Sequence, residues 1–301
     1  MSYREERLLA LTEVDHLDYV KSYSKEDMPN VFLEILHNGL HGLCFSIYQD
    51  EQMPGDIISP LQVQRRLQVI QPYTKWVRSF SCIDGNENVP KIAKELGMNT
   101  LAGAWIGTDL EKNDKEIENL IQLSNAGLVD IAAIGNEVMY RKELSEEQII
   151  NYINYFKSKV KNVPVGYVDA YYEFSKRPAL TDTCDIILAN CYPFWESYPI
   201  ELSLFYLKKM YYQAVEAGAG KRVVITETGW PSKGSALKAA EPSEINALLY
   251  FINAQLWAMD AGVEMFYFSS FDEEWKVASE GDLGAYWGLW DKHENLKFAL
   301  L

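Results

Sequence analysis

Two apolar runs in this sequence each end on a glutamate, and those two side chains narrow its chemistry most. One run is Asp130-Ile131-Ala132-Ala133-Ile134-Gly135-Asn136-Glu137, and the other is Val223-Val224-Ile225-Thr226-Glu227-Thr228-Gly229-Trp230-Pro231. Both open with residues typical of a buried strand and then place a carboxylate where the strand must stop. A single glutamate in such a place is ordinarily a solvated turn residue. Two of them, delivered from two strand ends, are what glycosidic bond cleavage requires: one protonates the leaving oxygen, and the other attacks the sugar or activates water.

The elements that must carry these residues form a regular series. Strands are expected at 42–48, 76–81, 99–105, 130–137, 163–168, 185–192, 222–228 and 264–271, with helices near 60–71, 88–97, 113–126, 145–160, 172–181, 200–217 and 243–261. Ser145 with Gln148 reads as a capping box, and Glu116 is expected on a solvated helix face with Glu111 and Lys115. Eight strands alternating with helices predict a single α/β domain of the (β/α)8 TIM-barrel type over residues 41–301. An open doubly wound sheet would carry a glycine-rich phosphate loop after its first strand, and Phe45-Ser46-Ile47-Tyr48-Gln49-Asp50 is not one. Gly218-Ala219-Gly220-Lys221 follows a helix and precedes a strand, the wrong order for a phosphate cradle. Residues 1–40 precede the series as a short N-terminal helical extension. Helical spacing runs through Val31–His37, with a stop at Asn38-Gly39, and the piece is expected to pack on the barrel and cover its bottom.

Composition bounds the partners. The 301 residues carry a formal charge of −15, which argues against nucleic acid or an anionic membrane, whereas a neutral sugar is indifferent to it. There are 8 Trp and 19 Tyr, whose faces suit either a packed core or the apolar faces of sugar rings. No run reaches the roughly 18 apolar residues of a membrane helix. The charged first twenty residues lack the apolar core of a secretion signal, so the expectation is a cytoplasmic chain, or a secreted or periplasmic one if a leader has been removed. His16, His37, His41 and His293 show no ligand spacing, so neither a metal nor a cofactor is expected. Cys44, Cys82, Cys184 and Cys191 are expected as free thiols.

In a barrel the C-terminal strand ends converge on one mouth. There they bring Tyr48, Arg78, Trp105, Asn136 with Glu137, Asp169, Tyr192, Glu227 with Trp230, and Glu273, Trp275 and Lys276. Carboxylates, hydrogen-bonding side chains and indoles together are the contents of a sugar site, although Arg78 alone could be a buried ion-pair partner, Tyr192 a packed ring and Trp275 a core anchor.

Several stretches carry a family resemblance: Gly135-Asn136-Glu137, Asn190-Cys191-Tyr192-Pro193-Phe194, Thr226-Glu227-Thr228-Gly229-Trp230-Pro231-Ser232, and Phe271-Asp272-Glu273-Glu274-Trp275-Lys276 followed by Trp287-Gly288-Leu289-Trp290. On these the sequence resembles glycoside hydrolase family 17, the β-1,3-glucanase-like enzymes, within the clan whose catalytic glutamates follow strands four and seven. The resemblance implies a retaining β-glucanase acting through a covalent glycosyl-enzyme. Glu137 would match the family's acid/base and Glu227 its nucleophile, about 5–5.5 Å apart. It also implies that Asn136 meets the sugar's 2-hydroxyl, Tyr192 sits by the nucleophile, Trp230 floors the subsite of the cleaved sugar, and Glu273 with Lys276 binds hydroxyls around it. Three alternatives stand beside this: a β-1,3-glucan transglycosylase, as fungal relatives are; a barrel that binds carbohydrate without cleaving it; and another β-linked sugar such as mannan, galactan or cellulose.

Overall fold

The computed structural model describes residues 20–299. Eight parallel strands close into one barrel in chain order: β1 (Leu40–Cys44), β2 (Thr74–Ser79), β3 (Asn99–Ala104), β4 (Ile131–Asn136), β5 (Val165–Ala170), β6 (Ile187–Asn190), β7 (Val223–Thr228) and β8 (Met265–Tyr267). The expected (β/α)8 barrel is therefore present, with strand boundaries displaced by a few residues. The displacement matters most in β5, which runs two residues further than expected and so takes in Asp169.

The helices follow from local signals. Helix α1 (Met28–Asn38) precedes β1 and stops at Gly39, whose φ is +84°. Helix α2 (Pro60–Ile70) starts on a Ser59 cap followed by a proline, which has no N–H to leave unpaired. Then come α3 (Asn88–Glu95), α4 (Leu110–Asn125), the one-turn α5 (Val138–Arg141) and α6 (Glu146–Lys159), whose Ser145–Gln148 capping box forms as read. The helix expected over 172–181 is broken into α7 (Glu173–Lys176) and α8 (Pro178–Thr183). Pro178 disfavours helical backbone in the residue before it, and Arg177 accordingly takes φ −130°, ψ 67°. Helices α9 (Ser203–Gly218) and α10 (Glu244–Ala261) complete the long ones.

Beyond β8, only single helical turns occur among the described residues. The outer ring is completed instead by α1, which lies on the barrel's flank. Phe32 of α1 packs edge-on against Phe251 of α10 at 5.1 Å and against Phe298 at 5.7 Å, and Phe251 in turn meets Tyr267 of β8. Asn253 of α10 then ties down the preceding chain, accepting from Lys21 N at 2.8 Å and donating to Lys21 O at 3.1 Å. The part of the extension before residue 20 lies outside the described residues. No helix among those described is long and apolar enough to cross a membrane. The four cysteines are free and buried.

One sequence expectation is overturned. Glu116 does not share a solvated face with Glu111 and Lys115; it is fully buried. The α4 stripe that faces the barrel includes position 116, and the loop after β2 brings polar partners to it. Ser81 Oγ donates to one carboxylate oxygen at 2.5 Å and Cys82 N to the other at 2.6 Å. Burial pushes the Glu116 carboxyl up to about 7, against these hydrogen bonds.

Glu116→Ala is expected to cost about 2–4 kcal/mol, read as a lower urea midpoint, because it orphans the buried Cys82 N–H and leaves a void. The raised carboxyl also gives stability a slope with pH. Between the ordinary 4.5 and about 7 the folded protein still holds a proton at Glu116 that the unfolded chain has released. That contribution is complete at low pH and is lost as pH rises toward 7. Glu116→Gln should flatten the fall of the midpoint between pH 5 and 7.

Candidate active site

The glutamate at the end of β4 is presented by a broken strand. Side chains alternate across a regular strand, so Asn136 and Glu137 would face opposite ways. Here Gly135 (φ +79°) and Glu137 (φ +54°) both take left-handed backbone, and the β4–β5 register shifts between Ala133 and Asn136. Both side chains consequently reach the mouth. Gly135 has no substitute at this place: a Cβ would lie 2.9 Å from Val138 Cγ2 and 3.4 Å from the Tyr167 ring. On the other side Glu227 pairs in register with Asn190 of β6, and Cys191 N donates to Glu227 O at 2.9 Å. Gly229 lets β7 pass close to β8, since a Cβ there would meet Phe268 O at 2.1 Å.

The two carboxyl groups are joined through one nitrogen. Asn190 Nδ2 donates to Glu137 Oε1 at 2.9 Å and to Glu227 Oε1 at 3.1 Å. Thr226 Oγ1 donates to Asn190 Oδ1 at 2.8 Å and so fixes which end of the amide faces the pair. The two N–H bonds of an amide diverge by about 120°, which puts the accepting oxygens roughly 5 Å apart, the spacing of a retaining glycosidase. Glu227 is further bound by Arg78 Nη1 at 2.6 Å on Oε1 and by Tyr192 Oη at 2.9 Å on Oε2. Three donors and no acceptor mark it as the ionised member. For Glu137 the balance is reversed. Burial, then the charge of Glu227, then that of Asp169 push its carboxyl up to about 7, against the Asn190 bond and the Arg141 cation.

The mouth is a cleft of about 1010 Å³. Of the residues read from the sequence, Tyr48, Trp105, Asn136, Glu137, Tyr192, Glu227, Glu273, Trp275 and Lys276 line it. Tyr48 packs edge-on to Trp275 at 6.0 Å, the Trp275 N–H donates to Glu273 at 2.9 Å, and Glu273 pairs with Lys276 at 2.6 Å. Arg141 lies over the Trp105 ring at 4.6 Å.

Three expected contacts are not made in the cleft. Trp230 is only 1% exposed: its N–H donates to Glu241 O, and its ring packs on Phe194 at 5.1 Å and on Tyr250. Trp287, not Trp230, lines the cleft there, packing against Tyr192, Phe194, Trp195 and Phe268. Arg78, 2% exposed, lies beneath the glutamates, where its other nitrogen donates to Asn136 Oδ1 at 2.8 Å. Asp169 is fully buried behind Glu137. In each case the strand end was placed correctly, but side chains and turns from elsewhere in the chain occupy the space around it.

Sequence reasoning gave no role to Asn190 and Trp287, though both stand in the family stretches, and did not single out Glu196 or Glu280; all four line the cleft. Asn190 ends β6, so the strand-end rule covered it. Glu280 and Trp287 lie in irregular chain after β8, where no periodicity points inward. Burial pushes the Glu280 carboxyl up to about 7, opposed by Lys276. The Trp287 N–H faces the Glu280 carboxyl and, with Lys276, favours its ionised form, although the contact is not well aligned. Among the described residues, no group of three or more His, Cys, Asp or Glu could hold a metal ion.

Arg78→Lys keeps a positive charge but cannot span Glu227, Asn136 and Thr226 O together. We expect the fold to persist by circular dichroism while kcat falls about tenfold or more.

Comparison with known proteins agrees with this geometry. Residues 42–288 match the family model of the BtgE/BtgC glycoside hydrolase domain. The glucan 1,3-β-glucosidase BGL2 of Candida albicans is 24% identical over 260 residues, covering 78% of this chain and 84% of that protein. A glucan 1,3-β-glucosidase of Saccharomyces cerevisiae is also 24% identical, over 82% and 87%. A solved structure, an active-site mutant of the Rhizomucor miehei β-1,3-glucanosyltransferase in complex with laminaritriose, superposes with a TM-score of 0.78 at 26% identity, over 88% of this chain and 98% of that one. With the match spanning nearly the whole barrel and both glutamates at its centre, this chain belongs to the BtgE/BtgC glycoside hydrolase family, as its resemblance to family 17 implied.

Proposed function

We propose that this protein is a retaining β-1,3-glucanase that cleaves laminarin-type chains or oligosaccharides through a covalent glycosyl-enzyme, with Glu227 as nucleophile and Glu137 as acid/base. The single amide nitrogen shared by the two carboxylates carries the reading. It leaves no room for a water between nucleophile and anomeric carbon. On Glu227, Oε1 is occupied by Arg78 and Asn190, while Oε2 holds only Tyr192 and keeps a lone pair for attack. On Glu137, Oε1 accepts from Asn190, so the acidic proton sits on Oε2, the oxygen open to the leaving group.

The cycle then follows from charge. Glu137 gives its proton to the glycosidic oxygen as Glu227 bonds to the anomeric carbon. Glu227 loses its charge in the ester, part of what kept Glu137 protonated is removed, and Glu137 can take a proton from the incoming water. Asn136 gives its oxygen to Arg78, leaving its NH2 for a sugar hydroxyl. Neutral β-1,3-glucan suits the site because its lining is largely aromatic and is interspersed with polar side chains that suit sugar hydroxyls. The names of the Candida and Saccharomyces relatives support the linkage.

Transglycosylation is the second reading, and the similarity to the Rhizomucor glucanosyltransferase favours it. It shares every step up to the ester and differs in the acceptor that arrives.

A time course on laminari-oligosaccharides and laminarin, wild type beside Glu227→Ala, tests the reading. Shortening of β-1,3-linked chains by wild type alone is expected. Longer products at high substrate would mark transfer, and inertness of wild type on every β-1,3-glucan would refute the substrate. The charge argument has its own test. In Glu227→Gln the Glu137 titration, followed by carboxyl NMR, should move down from about 7 toward the ordinary carboxylate range, since a repelling charge has gone. In wild type, kcat/KM should correspondingly fall as pH rises through about 7.

A further inference from the structure

Behind Glu137 lies a buried group that touches no part of the cleft. Tyr167 and Asp169 stand two residues apart on β5 and so face the same side of the sheet. Met139 N donates to Tyr167 Oη at 2.8 Å, and the Tyr167 hydroxyl donates to Asp169 Oδ2. Tyr140 N donates to the same oxygen at 3.3 Å, and Ala170 N donates to Asp169 Oδ1 at 2.7 Å. Asp169 therefore receives three donors and offers none, the bonding pattern of a carboxylate. Met139 and Tyr140 belong to α5, the single turn that follows Glu137. The N–H groups of Met139 and Tyr140, in the first turn of that helix, find no intrahelical carbonyl to bond.

The same turn carries the strain of the site. A left-handed backbone in a glutamate is disfavoured and persists only where its surroundings impose it. Glu137 N is held by Val168 O at 2.8 Å, Arg141 N returns to Glu137 O at 2.8 Å, and the Tyr167 ring lies against Gly135.

We propose that Tyr167 and Asp169 form a buried clamp that holds the Glu137 turn in its left-handed geometry and presents a fixed negative charge behind the acid/base. Both are positioning residues, acting through Glu137, and the inference rests on the acid/base role given to Glu137 above. The other charged and titratable groups facing Glu137 are Glu227 from β7, Arg141 from its own turn, and Tyr192 beyond β6. Those facing Asp169 are Tyr167, Tyr172 and Glu173. Of the groups around Glu137, Asp169 and Glu227 oppose its ionisation, and only Asp169 keeps its charge when the glycosyl-enzyme forms. The clamp would thus favour the protonated acid at the start of each turnover and strengthen Glu137 as a base in the second half.

The test compares Asp169→Asn and Tyr167→Phe with wild type and Glu137→Ala on two substrates: laminaritriose, whose leaving group needs a proton, and a 2,4-dinitrophenyl β-laminarioside, whose leaving group does not. The readout is kcat/KM, which reports formation of the glycosyl-enzyme, as a function of pH. For Asp169→Asn we expect a fall of about tenfold or more on laminaritriose at neutral pH, little change on the dinitrophenyl substrate, and an alkaline limb moved down by about one pH unit. Tyr167→Phe keeps the ring against Gly135 and should show the same dependence on leaving group. Equal losses on both substrates in folded Asp169→Asn, or an unmoved alkaline limb, would overturn the clamp. If Asp169→Asn does not fold, wild-type behaviour of Tyr167→Phe on both substrates would do the same. Should Glu137→Ala itself lose both activities equally, the acid/base assignment fails first and visibly, and the clamp with it.

Discussion

One amide nitrogen decides what this barrel can do. Asn190 Nδ2 reaches a carboxylate on each side, and that shared contact sets the separation of Glu137 and Glu227. The Asn190 oxygen is held by Thr226, so the amide cannot turn round. Two carboxyl groups so close cannot both ionise freely, and the surroundings choose between them. Arg78, Tyr192 and Asn190 all donate to Glu227, whereas Glu137 meets burial and two negative neighbours. Different roles for two residues of one type follow from this asymmetry.

A buried arginine is costly unless its charge and N–H groups are used. Arg78 spends one nitrogen on Glu227 and Thr226 O and another on Asn136, and its guanidinium lies over Phe80 at 4.2 Å. These other contacts would keep it in place when the nucleophile becomes a neutral ester. The mouth of the barrel is a continuous network from β2 through β4, β6 and β7, and its strands have to depart from regular pairing to make it. Register shifts occur in the β4–β5, β6–β7 and β7–β8 pairs, and all three fall at the active-site strand ends, the last bracketing Glu227.

The same barrel shows two uses of a buried glutamate. Glu116 is satisfied on both oxygens and fastens α4 to the loop after β2, a structural role. Glu280 lines the cleft beside Lys276 and the Trp287 N–H. Burial raises both carboxyls to about 7, so the shift does not separate them; the identity of their partners does.

Eight strand–helix repeats, two strands ending on glutamate, and aromatic residues clustered after β6 and β8 were all readable in the linear chain. Each is a local pattern: hydrophobic period, a cap, a glycine stop, a short motif. From them follow the barrel, the pair Glu137 and Glu227, and part of the cleft lining. Whether a residue at a strand end faces the cleft or lies beneath it was decided only by packing between segments distant in sequence. Trp230 is covered by Phe194 and Tyr250, Asp169 is taken up by Tyr167 and the turn after Glu137, and Trp287 arrives from irregular chain to form the wall. Glu116 was misjudged for the same reason, since its partners come from another loop. Period and motif specify where the backbone goes; which side chains meet there depends on contacts that exist only once the barrel has closed.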